Sequence, residues 1–325
     1  MGCEMKGEYC MTTLQAKLAP GYLVFHAVDI LLDAPQNKQD MLYDTENEIS
    51  VEKDICYTTN KKWKKVCKLD IYRKQGEGPQ PVLFYIHGGG FDAGGKYCRR
   101  GMATWMAKTG ICVVNVDYGL APKYKFREAM AMLCDGLNWV AANASEYNFD
   151  LNRVMVGGDS SGGYCALYLM DLVSDPDLRA ELGIGDIGLT FAGSYLNCGI
   201  YDLHKMLHTP VIGLVSGILA KDIMGSWKRG FDDHPDHLLC SPINYVNANF
   251  PKENFLSYAK YDALCFGQTQ QLLKLYDQHG VPYEEYHSTN PLQNHCFMFN
   301  WQDKGQCAEN NEKVFAFLKG FVERS

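Results

Sequence analysis

The chain has 325 residues, 46% hydrophobic and 21% charged, with a formal net charge of −7, enough to bury the core of one large α/β domain or two average ones. The acidic balance argues against nucleic-acid and anionic-membrane partners, which both need a basic surface. Its thirteen cysteines include no C-x-x-C pair, so zinc-ribbon and thioredoxin-type chemistry is not expected, and thiols in apolar runs (Cys112, Cys134, Cys165) read as small hydrophobes in a reducing compartment.

In chain order, the first thirty residues lack the charged, apolar and small-residue regions of a secretory signal. Lys6 stands where the Met1-Gly2-Cys3 start would need Ser or Thr for myristoylation. The longest apolar stretch, Pro210 to Ala220, is too short to span a bilayer, so a cytoplasmic protein is expected. Glu52–Thr58 and Lys68–Arg73 read as a hairpin, with Lys61-Lys62-Trp63-Lys64-Lys65 as its solvated turn. Pro81–Ile86, Ile111–Asp117, Arg153–Gly157, Ile187–Ala192 and Phe255–Tyr261 are near-continuous apolar runs. Such runs suit strands covered on both faces of a parallel sheet. Helical patterns alternate with them at about 97–109, 126–147, 161–174, 266–279 and 310–322. In the last, Val314, Phe315, Phe317, Leu318 and Phe321 form an apolar stripe. The alternation predicts βαβ units, a mainly parallel sheet with helices on both faces, and one domain over 1–325. Segments 1–48 and 202–240 break it and read as a small helical cap over a ligand site.

Two glycine motifs carry the chemistry. Gly158-Asp159-Ser160-Ser161-Gly162-Gly163 lies between a strand and a helix. A nucleophile there needs a sharp turn whose flanking residues approach closely, and Gly158 and Gly162 allow that. The Ser161 N–H falls at the helix start, where it can donate to an oxyanion. The competing reading is a glycine-rich turn with surface serines. Upstream, His87-Gly88-Gly89-Gly90-Phe91 follows the strand Val82–Ile86. It reads as an oxyanion loop with Gly88 and Gly89 as donors and His87 as a hydrogen-bonded brace. A phosphate-cradling loop is the rival, but no Lys-Ser/Thr follows at P-loop spacing. Asp159, beside the nucleophile, reads as structural.

These motifs, in this order and about seventy residues apart, resemble the hormone-sensitive-lipase-like (bacterial type IV) branch of the α/β-hydrolases. Leu69-Asp70-Ile71-Tyr72, Asp117-Tyr118-Gly119-Leu120-Ala121-Pro122 and Ser241-Pro242 add to the resemblance, which runs from about residue 50 to the end. The resemblance implies the α/β-hydrolase fold, an acid after the next-to-last strand and a base after the last, in the order Ser, Asp, His. Those positions are taken by Asp262 and His295, with His287 a rival base and Asp303 a rival acid. The chain departs from the pattern at Gly119, Lys123, Ala263 and Cys265, and Cys296 replaces the Gly usual after the base; these changes bear on subfamily and substrate.

The expected reaction is acyl transfer through Ser160, without metal or organic cofactor. The expected partner is a small-molecule ester with a short acyl group, such as an acetyl ester. Phe91, Tyr118 and Tyr164 are expected either to wall the acyl pocket or simply to pack the core. A formamidase or other small amidase is the runner-up, and a ligand-binding protein on a dead hydrolase fold the third reading. Oligomeric state is left open, with a homodimer among the options.

Overall fold

Eight strands form one sheet in the computed structural model, which describes residues 48–76, 78–208, 221–225, 231–300 and 304–324. They are β1 (Ile49–Cys56), β2 (Lys68–Lys74), β3 (Gln80–Ile86), β4 (Cys112–Val116), β5 (Phe149–Asp159), β6 (Gly193–Asn197), β7 (Glu253–Ala259) and β8 (Glu284–Ser288). Their order is β1-β2-β4-β3-β5-β6-β7-β8. β2 runs antiparallel to β1 and β4, and the other neighbours are parallel. The hairpin is therefore present, and the lysines of its turn are exposed.

The helices are α1 (Arg100–Ala107), α2 (Phe126–Ala142), α3 (Ala144–Tyr147), α4 (Ser161–Ser174), α5 (Pro176–Leu182), α6 (Leu203–Leu207), α7 (Gln268–His279) and α8 (Gln306–Glu323). Helix α5 shows local coding at both ends. The Asp175 carboxylate caps the N–H groups of Asp177 and Leu178, Pro176 opens the helix, and Gly183 closes it in the left-handed region.

Alternate residues of β3 serve two cores. Val82, Phe84 and Ile86 pack on one face of the sheet with residues of α2 and α4. Leu83 and Tyr85 pack on the other with Met102 and Met106 of α1 and with Val314, Phe317, Leu318 and Phe321 of α8. Burial of each such side chain contributes about 1.5–3 kcal/mol, which explains why these strands read as unbroken apolar runs.

One strand lies elsewhere than expected. Ile187–Ala192 leads into the sheet, and the strand itself is Gly193–Asn197. A five-residue strand in which Gly193, Ser194 and Asn197 flank only Tyr195 and Leu196 carries little apolar signal, yet every residue is buried. Ser194 Oγ hydrogen-bonds Asn254 Oδ1 at 2.7 Å, which removes the cost of burying that hydroxyl.

The chain runs from β3 to β4 on one side, then crosses to β5 on the other side of β3. The crevice at the carboxyl ends of β3 and β5 is thus a topological switch point, the usual ligand position in such sheets. Ile86 pairs with Gly158, so the two glycine motifs leave the sheet side by side. Of the expected cap, α6 and residues 221–225 and 231–240 are described. Tyr164 Oη and Tyr168 Oη of α4 donate to the Cys240 and Leu239 carbonyls at 2.5 and 2.6 Å. Segment 1–47 and residues 209–220 and 226–230 of the expected cap lie outside the described residues. Among the described residues, no helix is long and apolar enough to cross a membrane.

Candidate active site

Ser160 stands between β5 and α4 at φ 54° and ψ −121°, a strained conformation for a residue with a side chain. A Cβ on Gly158 would lie 2.4 Å from the Gly162 carbonyl carbon, and one on Gly162 2.1 Å from the Ile86 oxygen. Neither position tolerates a side chain, which is the steric reason for the motif. The Ser160 N–H donates to the Asn197 carbonyl at 2.9 Å, tying the turn to β6.

His295 arrives from the loop after β8. Its Nε2 lies 2.8 Å from Ser160 Oγ and its Nδ1 2.9 Å from Asp262 Oδ2. The other Asp262 oxygen accepts from the N–H groups of Leu264 and Cys265 at 3.0 and 2.8 Å. Burial raises the Asp262 pKa, but the facing imidazole and these donors hold it below the usual carboxylate range. Burial works against charge on His295, and the Asp262 carboxylate outweighs it, lifting the imidazole well above its ordinary value. A carboxylate on Nδ1 fixes the tautomer that leaves Nε2 able to take a proton from Ser160. His287 is exposed on β8 and stacks on Tyr258 at 4.5 Å, and Asp303 lies outside the described residues.

The glycine loop differs from expectation in one donor. The Gly88 N–H, expected to face the substrate, donates instead to Asp159 Oδ2 at 3.2 Å. A fully buried carboxylate claims every donor in reach, and Asp159 is such a group. It also receives Arg99 Nε and Nη2 at 2.9 and 2.7 Å, and Tyr85 Oη at 3.0 Å. Burial raises its pKa, while the Arg99 guanidinium brings it below the usual value. Gly89 adopts φ 132°, and a Cβ there would lie 2.1 Å from the Ala93 carbonyl oxygen. His87 is buried, which lowers its pKa. Its Nδ1 lies 2.7 Å from the Gly88 carbonyl, to which the neutral ring donates.

Arg99 is the residue that sequence reasoning missed. Besides holding Asp159, its guanidinium lies 4.4 Å from the Phe299 ring centroid, four residues beyond His295. It comes from a single turn, Lys96–Arg99, with no motif around it, so only the need of a buried Asp159 for a cation could have pointed to it. Phe91, Tyr118 and Tyr164 line one small cavity together with Ala121, Phe126 and Ile223. Phe91 meets Tyr164 edge-on at 5.0 Å, and Tyr118 stacks on His87 at 4.9 Å. Groups of side chains that could hold a metal ion include Cys198, His295 and Cys296. All cysteines among the described residues are free thiols.

An arylacetamide deacetylase from Mus musculus is 37% identical over 108 residues, 31% of this chain and 27% of that protein. An acetyl esterase from Salmonella schwarzengrund is 24% identical over 195 residues, 57% of this chain and 58% of that protein. The chain thus matches less than two thirds of the length of these relatives. Esterase B from Lactobacillus rhamnosis has the same fold, with a TM-score of 0.78 at 19% identity, over 93% of this chain and 97% of that one. The alpha/beta hydrolase fold family matches residues 83–298, about two thirds of the chain. With the elbow, the glycine loop and the parallel sheet in place, the chain belongs to the α/β-hydrolase fold family, in its hormone-sensitive-lipase-like branch.

Proposed function

We propose that the protein is a serine carboxylesterase that hydrolyses small, short-acyl esters, acetyl esters among them, through an acyl-enzyme on Ser160. The observation that carries this reading is the unbroken path Asp262–His295–Ser160, with steps of 2.9 and 2.8 Å. His295 takes the Ser160 proton as Oγ attacks the carbonyl, and returns it to the leaving alkoxide. It then activates water to release the acid, while Asp262 stabilises the imidazolium. Because the Gly88 N–H is engaged by Asp159, the oxyanion falls to the N–H groups of Gly89, Gly90 and Ser161. Asp159 and Arg99 act as positioning residues that hold the loop.

The short-acyl reading takes as the acyl pocket the small cavity walled by Phe91, Tyr118 and Tyr164, of which Phe91 follows the glycine loop and Tyr164 comes four residues after Ser160. The Lactobacillus esterase has been solved with a C4–C4 tributyrin phosphonate inhibitor, a ligand of that size class. The name arylacetamide deacetylase favours a second reading, in which the same residues cleave activated amides. Turnover of an ester panel by wild type and Ser160→Ala tests the proposal; a loss of about 10^6-fold is expected, because triad members act as a unit. Equal turnover by the two proteins would refute it. A nitrophenyl ester series should favour short chains, and an optimum beyond about ten carbons would contradict the small pocket. N-formyl substrates assayed beside esters separate the two readings.

A further inference from the structure

We propose that Cys198, Cys296 and His295 form a binding site for a thiophilic cation such as Zn2+, which occupies the imidazole and reversibly inhibits the enzyme. The inhibition rests on the reading of His295 as the base; the site itself rests on geometry. One sulfur from each cysteine and a ring nitrogen of His295 all lie within 4.8 Å of one another. Zinc bound tetrahedrally at about 2.3 Å from sulfur and 2.0–2.1 Å from nitrogen spaces its ligand atoms by about 3.5–3.8 Å. Only a small inward movement of the side chains is needed.

The fold brings the two thiols together from opposite directions. Cys198 directly follows β6, is buried, and donates its N–H to the Ser257 carbonyl at 2.8 Å. Cys296 follows His295 in the left-handed region, φ 53°, so the chain turns and its thiol lies back beside the ring. Two thiols and one imidazole are a ligand set that zinc accepts with a fourth position open. Asp262 on Nδ1 is the outer partner that a metal-bound imidazole ordinarily has, and it leaves Nε2 as the nitrogen to ligate. The arrangement that makes His295 a base also makes it a ligand.

Binding is a proton exchange without redox change. Two S–H bonds, and the imidazolium N–H wherever His295 is protonated, release their protons to solvent, two Zn–S bonds and one Zn–N bond form, and the Ser160 hydroxyl loses its acceptor. Because the thiols must lose their protons to ligate, affinity rises with pH. Neither rival group fits as well. In the Asp262, Cys265 and His295 set, both carboxylate oxygens already hold hydrogen bonds. The His204, His208 and Asp232 set is exposed and carries no sulfur.

Cobalt(II) titration of Ser160→Ala reads the site without any turnover. Thiolate-to-cobalt charge-transfer bands and tetrahedral d–d bands are expected, and their loss in Cys198→Ser and Cys296→Ser. Zn2+ should inhibit wild-type esterase activity, with reversal by a chelator. Against each variant's own metal-free rate, the inhibition constant should weaken at least about tenfold in both serine variants, the scale for losing a ligand-shell partner. Cys296 is only partly buried, so its variant serves if Cys198→Ser fails to fold. Absence of thiolate bands, unchanged inhibition in both serine variants, or loss of inhibition in His204→Ala would overturn the proposal. So would inhibition reversed only by a thiol reductant. Cobalt bands in a protein that turns over no ester would sink the esterase reading and leave the site standing.

Discussion

Ser160 and the glycine loop leave two interior strands, β5 and β3, whereas Asp262 and His295 leave β7 and the edge strand β8. On the first side backbone sterics do the positioning. Gly158, Gly162 and Gly89 each sit where a Cβ would lie within 2.4 Å of a backbone atom, and paired strands flank both motifs. On the second side, single residues in loops depend on hydrogen bonds: Asp262 on the backbone N–H groups of Leu264 and Cys265 just after it, and His295, across space, on Asp262 and Ser160. Steric positioning is written into a local motif. The positioning of His295 by hydrogen bond is written only into which residues happen to converge.

The side of Asp262 and His295 can therefore be altered without disturbing the sheet, and there the largest effect short of removing Ser160 itself is expected. Asp262→Asn keeps the shape but presents the wrong tautomer, and kcat/KM should fall about 10^4-fold. Its pH profile sharpens the point. On the proposed mechanism His295 acts as base only when neutral, and the Asp262 carboxylate raises its pKa well above the ordinary value. Wild-type activity should therefore fall as pH drops through that raised value. In the variant the acid limb should move to lower pH. An acid limb unmoved by the substitution would mean that Asp262 is not coupled to the base.

The same contrast explains what the sequence could reveal. The Ser160 elbow and the glycine loop were legible because close backbone approach forces glycine at fixed offsets. The strands β3, β4 and β7 were legible because burial on both faces forces apolar runs. β6 was not, since Gly193, Ser194 and Asn197 are held by packing and pairing rather than by apolar character. Nor was the helix start at Gln306, where eight residues precede the apolar stripe that begins at Val314. Asp262 and His295 came from family resemblance alone, no local rule marking either. The Gly88 donor was misassigned because the motif tells that a loop is tight, not which N–H a buried Asp159 will claim.

Arg99 tests whether the steric side is as self-sufficient as its motifs imply. Its bidentate pair with Asp159 is buried at both ends, and removing one partner of such a pair costs about 3–5 kcal/mol. Arg99→Leu should lose that much in denaturant unfolding. The paired Asp159 has a depressed pKa, so its stabilisation is present above the unfolded carboxylate pKa and lost as pH falls through the folded value. Without Arg99 the buried carboxyl pKa rises instead, and the variant's deficit should shrink toward mildly acid pH. A pH-independent deficit would show that the loss comes from packing against Phe299 rather than from an orphaned charge.

The smallest expected effect separates pocket from scaffold. Tyr164 presents its ring to the cavity beside Phe91 and spends its hydroxyl on the Cys240 carbonyl at 2.5 Å. Tyr164→Phe keeps the apolar wall and orphans that carbonyl, at a cost of about 1–3 kcal/mol. If the hydroxyl only fastens residues 231–240 to α4, stability falls by that amount while the preference among short nitrophenyl esters stays unchanged. A shift in acyl preference with stability intact would place the hydroxyl in contact with substrate. The aromatic cluster would then belong to the chemistry of the loop side, where residues act by hydrogen bond, and not to the packing that supports the elbow.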